Sequence, residues 1–251
     1  MPQPAAKQHM KPVLCRTSNT VSLHFAWHET QSCMDVRQPD ALNLQYTRTM
    51  MGFLLFLPEP ESVAMVGLGG GSLAKFCYRH LPKTRIEVIE INPHVLALRD
   101  EFQVPADSPR FRVVLGDGAD FVRSTPRRFD VLLVDGYDHE GLPTALSSQR
   151  FYDDCSAMLG PDGVLVANLH CNHSRWQQQL ARIRRSFDGA VIVVDDDDDE
   201  GSNSIVFASK TWLSARPSSK PVRRPRSLDI DAWTQLRATF ARVEAATRES
   251  L

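Results

Sequence analysis

Apolar and polar positions divide the chain into short apolar runs separated by longer amphipathic stretches. Residues 63–66, 86–89, 111–115, 130–134 and 164–169 have the composition of strands buried on both faces of a sheet. The stretches between them read as helices: 72 to about 80, Pro93 and His94 to near Phe102, the short DFVRS segment at 120–124, and 148–159. A GPDG turn at 160–163 precedes the fifth strand. Upstream, residues 1–17 read as a disordered arm, and 20–36 as a hairpin with a polar break near 28–30. A helix over 41–57 follows, opened by Pro39 and Asp40 and ended by Pro58 and Pro60. Downstream come a helix over 174–187 and strands at 190–194 and 205–208, an antiparallel pair at the sheet edge. A Pro/Ser/Arg linker spans 216–227, and a closing helix 228–248. Strands alternating with helices predict an α/β fold, a doubly wound, mostly parallel sheet with a small N-terminal β-hairpin element and an antiparallel edge strand. The expected organisation is 1–57 as arm, hairpin and helix, 58–215 as the α/β domain, and 216–251 as linker and helix.

The candidate chemistry gathers where these strands end. After the first strand come Gly67, Leu68, Gly69, Gly70 and Gly71, a turn where the missing Cβ atoms let a ligand approach the main chain. Ser72 is placed to cap the following helix. The next strand ends on Glu90, a carboxylate able to accept hydrogen bonds from both hydroxyls of a ribose lying over the turn. Asp117 follows the third strand and can accept from an adenine amino group. Asp135 and Asp138 follow the fourth, spaced to converge on one cationic or protonatable group. Ligands of such sheets lie at the carboxyl ends of the strands, where all these groups fall, so a nucleoside-binding site is expected there.

Composition narrows the partners. A formal net charge of −1 over 251 residues predicts no affinity for nucleic acid or anionic membrane. Five scattered cysteines without a CxxC pair suit reduced thiols in the cytoplasm. The first twelve residues lack the apolar core of a signal peptide, and no run approaches the ~20 apolar residues of a membrane span. The acidic run 195–200 reads as a solvated loop, the basic linker as a tether, and Trp27, Trp176, Trp212 and Trp233 as packing residues. His170, Cys171 and His173 have no further partner at metal-ligand spacing, so no metal is expected.

Leu68 to Lys75, VIEINPHV (88–95), VVLGDGADFV (113–122), FDVLLVDGYDHEGLP (129–143) and the run from FYDDC to VANL (151–169) together resemble the spermidine synthases, in continuous register over about residues 30–170. The resemblance implies a methyltransferase-type, Rossmann-like sheet. It implies transfer of an aminopropyl group from decarboxylated S-adenosylmethionine to an amine or polyamine such as putrescine, without a metal, in a possible homodimer. Carried over by position, Gln31, Gly67, Gly69, Gly70, Gly71, Ser72, Glu90, Asp117 and Gly118 would surround the donor. Asp135 and Asp138 would be catalytic, with Tyr46 and Asp138 on the acceptor. Three positions depart from the family pattern. Ser72 replaces the aspartate that pairs with the donor's terminal ammonium, Asn92 replaces an acid, and Tyr46 is followed by Thr47. Losing that aspartate removes a group that would favour the decarboxylated donor and repel an intact one. A methyltransferase using intact S-adenosylmethionine on a small acceptor is therefore the second reading, and a silent nucleoside-binding or partner-binding relative the third.

Overall fold

The computed structural model describes residues 9–26, 29–137, 141–171, 174–196, 203–211 and 223–249. It opens with a three-stranded antiparallel sheet of β1 (Val13–Arg16), β2 (Thr20–Ala26) and β3 (Glu29–Asp35). Val21, Leu23, Ser32 and Met34 are its buried side chains. The expected hairpin thus gains a strand from the expected arm. β1 is largely exposed, so backbone pairing with β2 holds it and no apolar alternation announces it.

The expected helix over 41–57 is much shorter. α1 (Gln45–Met50) passes directly into a 3-10 turn at Met51–Leu55. The side chain of Arg48 donates to the carbonyls of Leu42 (2.6 Å) and Asn43 (3.2 Å), where the chain is still non-helical. Those contacts hold the lead-in outside the helix.

The main sheet comprises β4 (Ser62–Val66), β5 (Arg85–Glu90), β6 (Phe111–Leu115), β7 (Phe129–Val134), β8 (Leu159–His170), β9 (Val191–Asp195) and β10 (Asn203–Ser209). Their order is β6-β5-β4-β7-β8-β10-β9. β4 to β8 are parallel, and β10 runs antiparallel to both neighbours, so the reversed strand lies just inside the outermost one. The expected turn at 160–163 is an irregularity inside β8: Leu159 pairs with Phe129 and Val164 with Val131, so both sides of it join the same neighbour.

Side chains alternate between two cores, as the two-residue period of a strand requires. Val63, Met65, Val131 and Leu133 pack under α2 (Ser72–His80) and the region of α1. Ala64, Val66, Leu132 and Val134 face the other core. There they meet α4 (Gly118–Ser124), α5 (Gln149–Met158) and α6 (Trp176–Ser186). Gly71, in the left-handed region at φ 71°, is the N-cap of α2, and Ser72 is its first residue rather than the expected cap. The helix expected from Pro93 to Phe102 ends early: α3 is only Pro93–Leu96, and turns reach Gln103 at φ 52°. The closing helix α7 (Ile230–Glu249) lies over α1, the 3-10 turn and β9. Among the described residues no helix is long and apolar enough to cross a membrane. Residues 197–200 of the acidic run, 216–222 of the linker, and Trp27, His173 and Trp212 lie outside the described residues.

Candidate active site

The site is built on the glycine turn after β4. Gly67 sits at φ +100°, and a Cβ there would overlap the carbonyl oxygen of Asp135 on the neighbouring strand end. Two main-chain bonds tie the strand tips together: Gly67 N–H donates to Ile89 O (2.8 Å), and Asp135 N–H donates to Val66 O (2.9 Å). Glu90 ends β5 beneath this turn. Its Oε2 accepts from Leu68 N–H (2.9 Å) and its Oε1 from Asn92 N–H (2.7 Å). Burial raises its pKa, and these main-chain donors offset only part of the effect. Asp117 caps α4: its Oδ1 accepts from Ala119 N–H (2.8 Å) and Asp120 N–H (3.3 Å). Its Oδ2 makes no hydrogen bond among the described residues. Gly118 starts α4 where a Cβ would run into Val66.

These groups surround a cavity of about 330 Å³ over the carboxyl ends of β4 to β7, within the range of small-molecule sites. Gln31, Tyr46, Gly67, Gly69, Ser72, Glu90, Asp117, Gly118 and Asp135 all line it. Gly70 and Gly71 do not. A Cβ on Gly70 would meet Ser32 Oγ at 2.5 Å and Phe102 at 2.7 Å, and one on Gly71 would meet Val104 at 2.6 Å, so both serve the turn. Asp138 lies outside the described residues. Apolar walls from Phe25, Ile91 and Leu146, among others, face the polar groups.

Asp135 is held from two sides. The Tyr46 hydroxyl donates to its Oδ2 (3.2 Å), and Asn168 Nδ2 donates to its Oδ1 (2.9 Å). Burial raises the Asp135 pKa against the lowering effect of both donors. Burial, and then the Asp135 charge, push the Tyr46 phenol well above its ordinary value, so it remains a donor at neutral pH. Asn168 was not among the expected site residues. It is buried on β8, its Oδ1 has no hydrogen-bond partner among the described residues, and its carbonyl accepts from the Tyr137 hydroxyl (3.0 Å). Its one signal is a polar amide inside the apolar run 164–169. Ser32 and His9 also line the cavity without having been singled out, and so do Thr47 and Asn92, two of the departures from the family pattern.

A seven-stranded sheet with one reversed strand, and a cavity over its carboxyl edge, define an α/β fold of the methyltransferase type. Among solved structures, a probable spermidine synthase from Corynebacterium glutamicum matches with TM-score 0.65 at 21% identity, over 83% of this chain and 76% of that one. A polyamine aminopropyltransferase of Chromobacterium violaceum is 38% identical over 191 residues, 76% of this chain and 73% of that protein. An eEF1A lysine and N-terminal methyltransferase of Mus musculus is 35% identical over 144 residues, 53% of this chain and 21% of that protein. The model of the spermine/spermidine synthase domain matches residues 43–187. The chain belongs to the spermine/spermidine synthase family, and with it to the transferases.

Proposed function

We propose that the protein transfers an aminopropyl group from decarboxylated S-adenosylmethionine to an amine of the polyamine class, putrescine being the simplest candidate. The observation that carries this reading is the Asp135 carboxylate, buried beside the cavity and oriented by Tyr46 and Asn168. Glu90, held by main-chain N–H groups at the end of β5 and lining the cavity, is assigned the ribose hydroxyls. Asp117 takes the adenine amino group on Oδ2.

The reaction joins a neutral amine nitrogen to the propyl carbon beside the sulfonium. As the C–N bond forms the C–S bond breaks, its electron pair stays on sulfur, and an uncharged thioether leaves. The nitrogen then carries a surplus proton, which Asp135 accepts. A carboxylate whose pKa is raised by burial is a better proton acceptor than one in water. Aligning amine and sulfonium in a largely apolar cavity removes much of the remaining barrier. Asp138 is assigned the distal ammonium of the acceptor.

A second reading rests on the donor's tail. Gln31, Ser32, Thr47 and Ser72 supply neutral dipoles to the cavity, and Ser72 stands where a carboxylate would select the decarboxylated tail. The likeness to a methyltransferase over 144 residues fits the same reading. Calorimetric titration with decarboxylated and intact S-adenosylmethionine separates the two. Tighter binding of the decarboxylated form, with amine-dependent thioether release, is expected. Tighter binding of the intact form would move the protein to the methyltransferases, and binding of neither would overturn both readings.

A further inference from the structure

The opposite edge of the sheet, where β4 to β7 begin, has a second and smaller cavity of about 60 Å³. Five arginines line it, Arg85, Arg110, Arg112, Arg127 and Arg128, against a single lining carboxylate, Glu87. Strand register creates part of this cluster. Arg85 and Glu87 lie two residues apart on β5, and Arg112 of β6 pairs directly with Glu87, so all three share one face. The cluster is local, because the chain as a whole carries a formal charge of −1.

Two of the cations, Arg110 and Arg128, are held in place by their neighbours. The Arg110 guanidinium stacks 3.8 Å over the Tyr78 ring, and its Nη2 donates to the Tyr78 carbonyl (2.7 Å). Its Nη1 is buried and has no acceptor among the described residues. Arg128 is fixed by the carbonyls of Ala157 (3.3 Å) and Leu159 (3.1 Å). Glu87 pairs with Arg127 (3.5 Å), while Arg85 and Arg112 are exposed and form no ion pair among the described residues. Asp130, beside the cavity, already accepts on Oδ2 from Glu61 N–H, Ser62 N–H and Ser62 Oγ. Positive charge is thus concentrated beyond what the neighbouring carboxylates balance, and a buried guanidinium N–H lacks an acceptor. Both deficits call for an oxyanion, and forked guanidinium donors match phosphate oxygens best.

We propose that this cavity binds a small phosphate-bearing anion, with one phosphoryl group against Arg110 and Arg112 and the other arginines around it. Its position at the amino ends of the strands separates it from the cavity over their carboxyl ends, so it does not depend on the reaction assigned there.

Calorimetric titration of the full chain with inorganic pyrophosphate at low salt tests this. Saturable binding at one site is expected, weakened about tenfold or more by Arg112→Gln and by Arg110→Gln, with S-adenosyl donor binding unchanged in both. Arg112 is exposed, so its variant carries the test if the loss of Arg110 from its stack unfolds the chain, which circular dichroism would report. Absence of saturable binding, or binding that both folded variants retain, overturns the proposal. So does equal competition by equimolar chloride, which would mean a counter-ion atmosphere, or binding of a short RNA where pyrophosphate fails.

Discussion

Replacing Asp135 by asparagine tests the proposed reaction with little change of shape. The carboxylate accepts from two donors, Asn168 Nδ2 at 2.9 Å and the Tyr46 hydroxyl at 3.2 Å. An amide in its place accepts on one side only and turns its NH₂ toward the other donor. Asn168 can relieve that conflict. Its Oδ1 has no partner among the described residues, so a flip of its amide offers an acceptor to the new NH₂ while Tyr46 donates to the new carbonyl. The variant should therefore fold. Relative to wild type it should also gain stability as pH rises. Burial raises the Asp135 pKa, so the folded protein holds this proton more tightly than the unfolded chain. The native contribution is then lost as pH rises from the ordinary carboxylate range through the raised value, and asparagine has no such loss. Turnover should fall about 10²–10⁴-fold with the loss of a general base, or about 2.7–5.4 kcal/mol at 1.36 kcal/mol per factor of ten. The acid limb of the wild-type rate profile, where protonation silences the carboxylate, should lose its Asp135 component. Steady-state turnover across pH, urea melts at acid and neutral pH, and donor calorimetry check these outcomes together. Turnover within about threefold of wild type, from a variant that binds donor normally, would refute the assignment of Asp135.

Gly67→Ala should lower the melting temperature and weaken donor binding together. The positive φ alone costs about 1–3 kcal/mol, and the new methyl overlaps the Asp135 carbonyl. A wild-type melting curve would show that the turn relaxes freely. Arg242→Ala should destabilise the chain in urea. Arg242 donates to Asp196 (3.1 Å) and Thr49 (2.8 Å), and the Asp196 side chain is only 2% exposed. Breaking a buried pair costs about 3–5 kcal/mol, and the lower end is expected because Thr49 still donates to Asp196 (3.4 Å) and Arg242 is 29% exposed. Since Thr49 and Tyr46 share α1, turnover should fall as well, and an unchanged urea midpoint would contradict the role given to this clasp.

What could be read in advance, and what could not, follows the physics of each element. β4, β5 and β7 are buried on both faces, and such strands leave runs of apolar residues that survive translation into structure. β1 left no such trace, because an exposed strand stabilised by its backbone can carry almost any side chains. The helix over 41–57 misled for a different reason: its apolar spacing is real, but Arg48 holds the carbonyls of residues 42 and 43, a side-chain-to-backbone choice that apolar spacing does not encode. The site divides in the same way. Glu90, Asp117 and Asp135 could be found because acids at three strand ends are a one-dimensional signal, whereas Asn168 acts through a neighbouring strand. Asp117 shows why a structural and a functional reading need not compete. A carboxylate has two oxygens; here Oδ1 caps α4, and Oδ2 makes no bond among the described residues and stays available to a ligand. Glu90 likewise combines two roles, since main-chain N–H groups lock it beneath the glycine turn while it lines the cavity. The residues that shape this turn and the residues proposed to hold the nucleoside are the same, so a substitution that damages one role is expected to damage both.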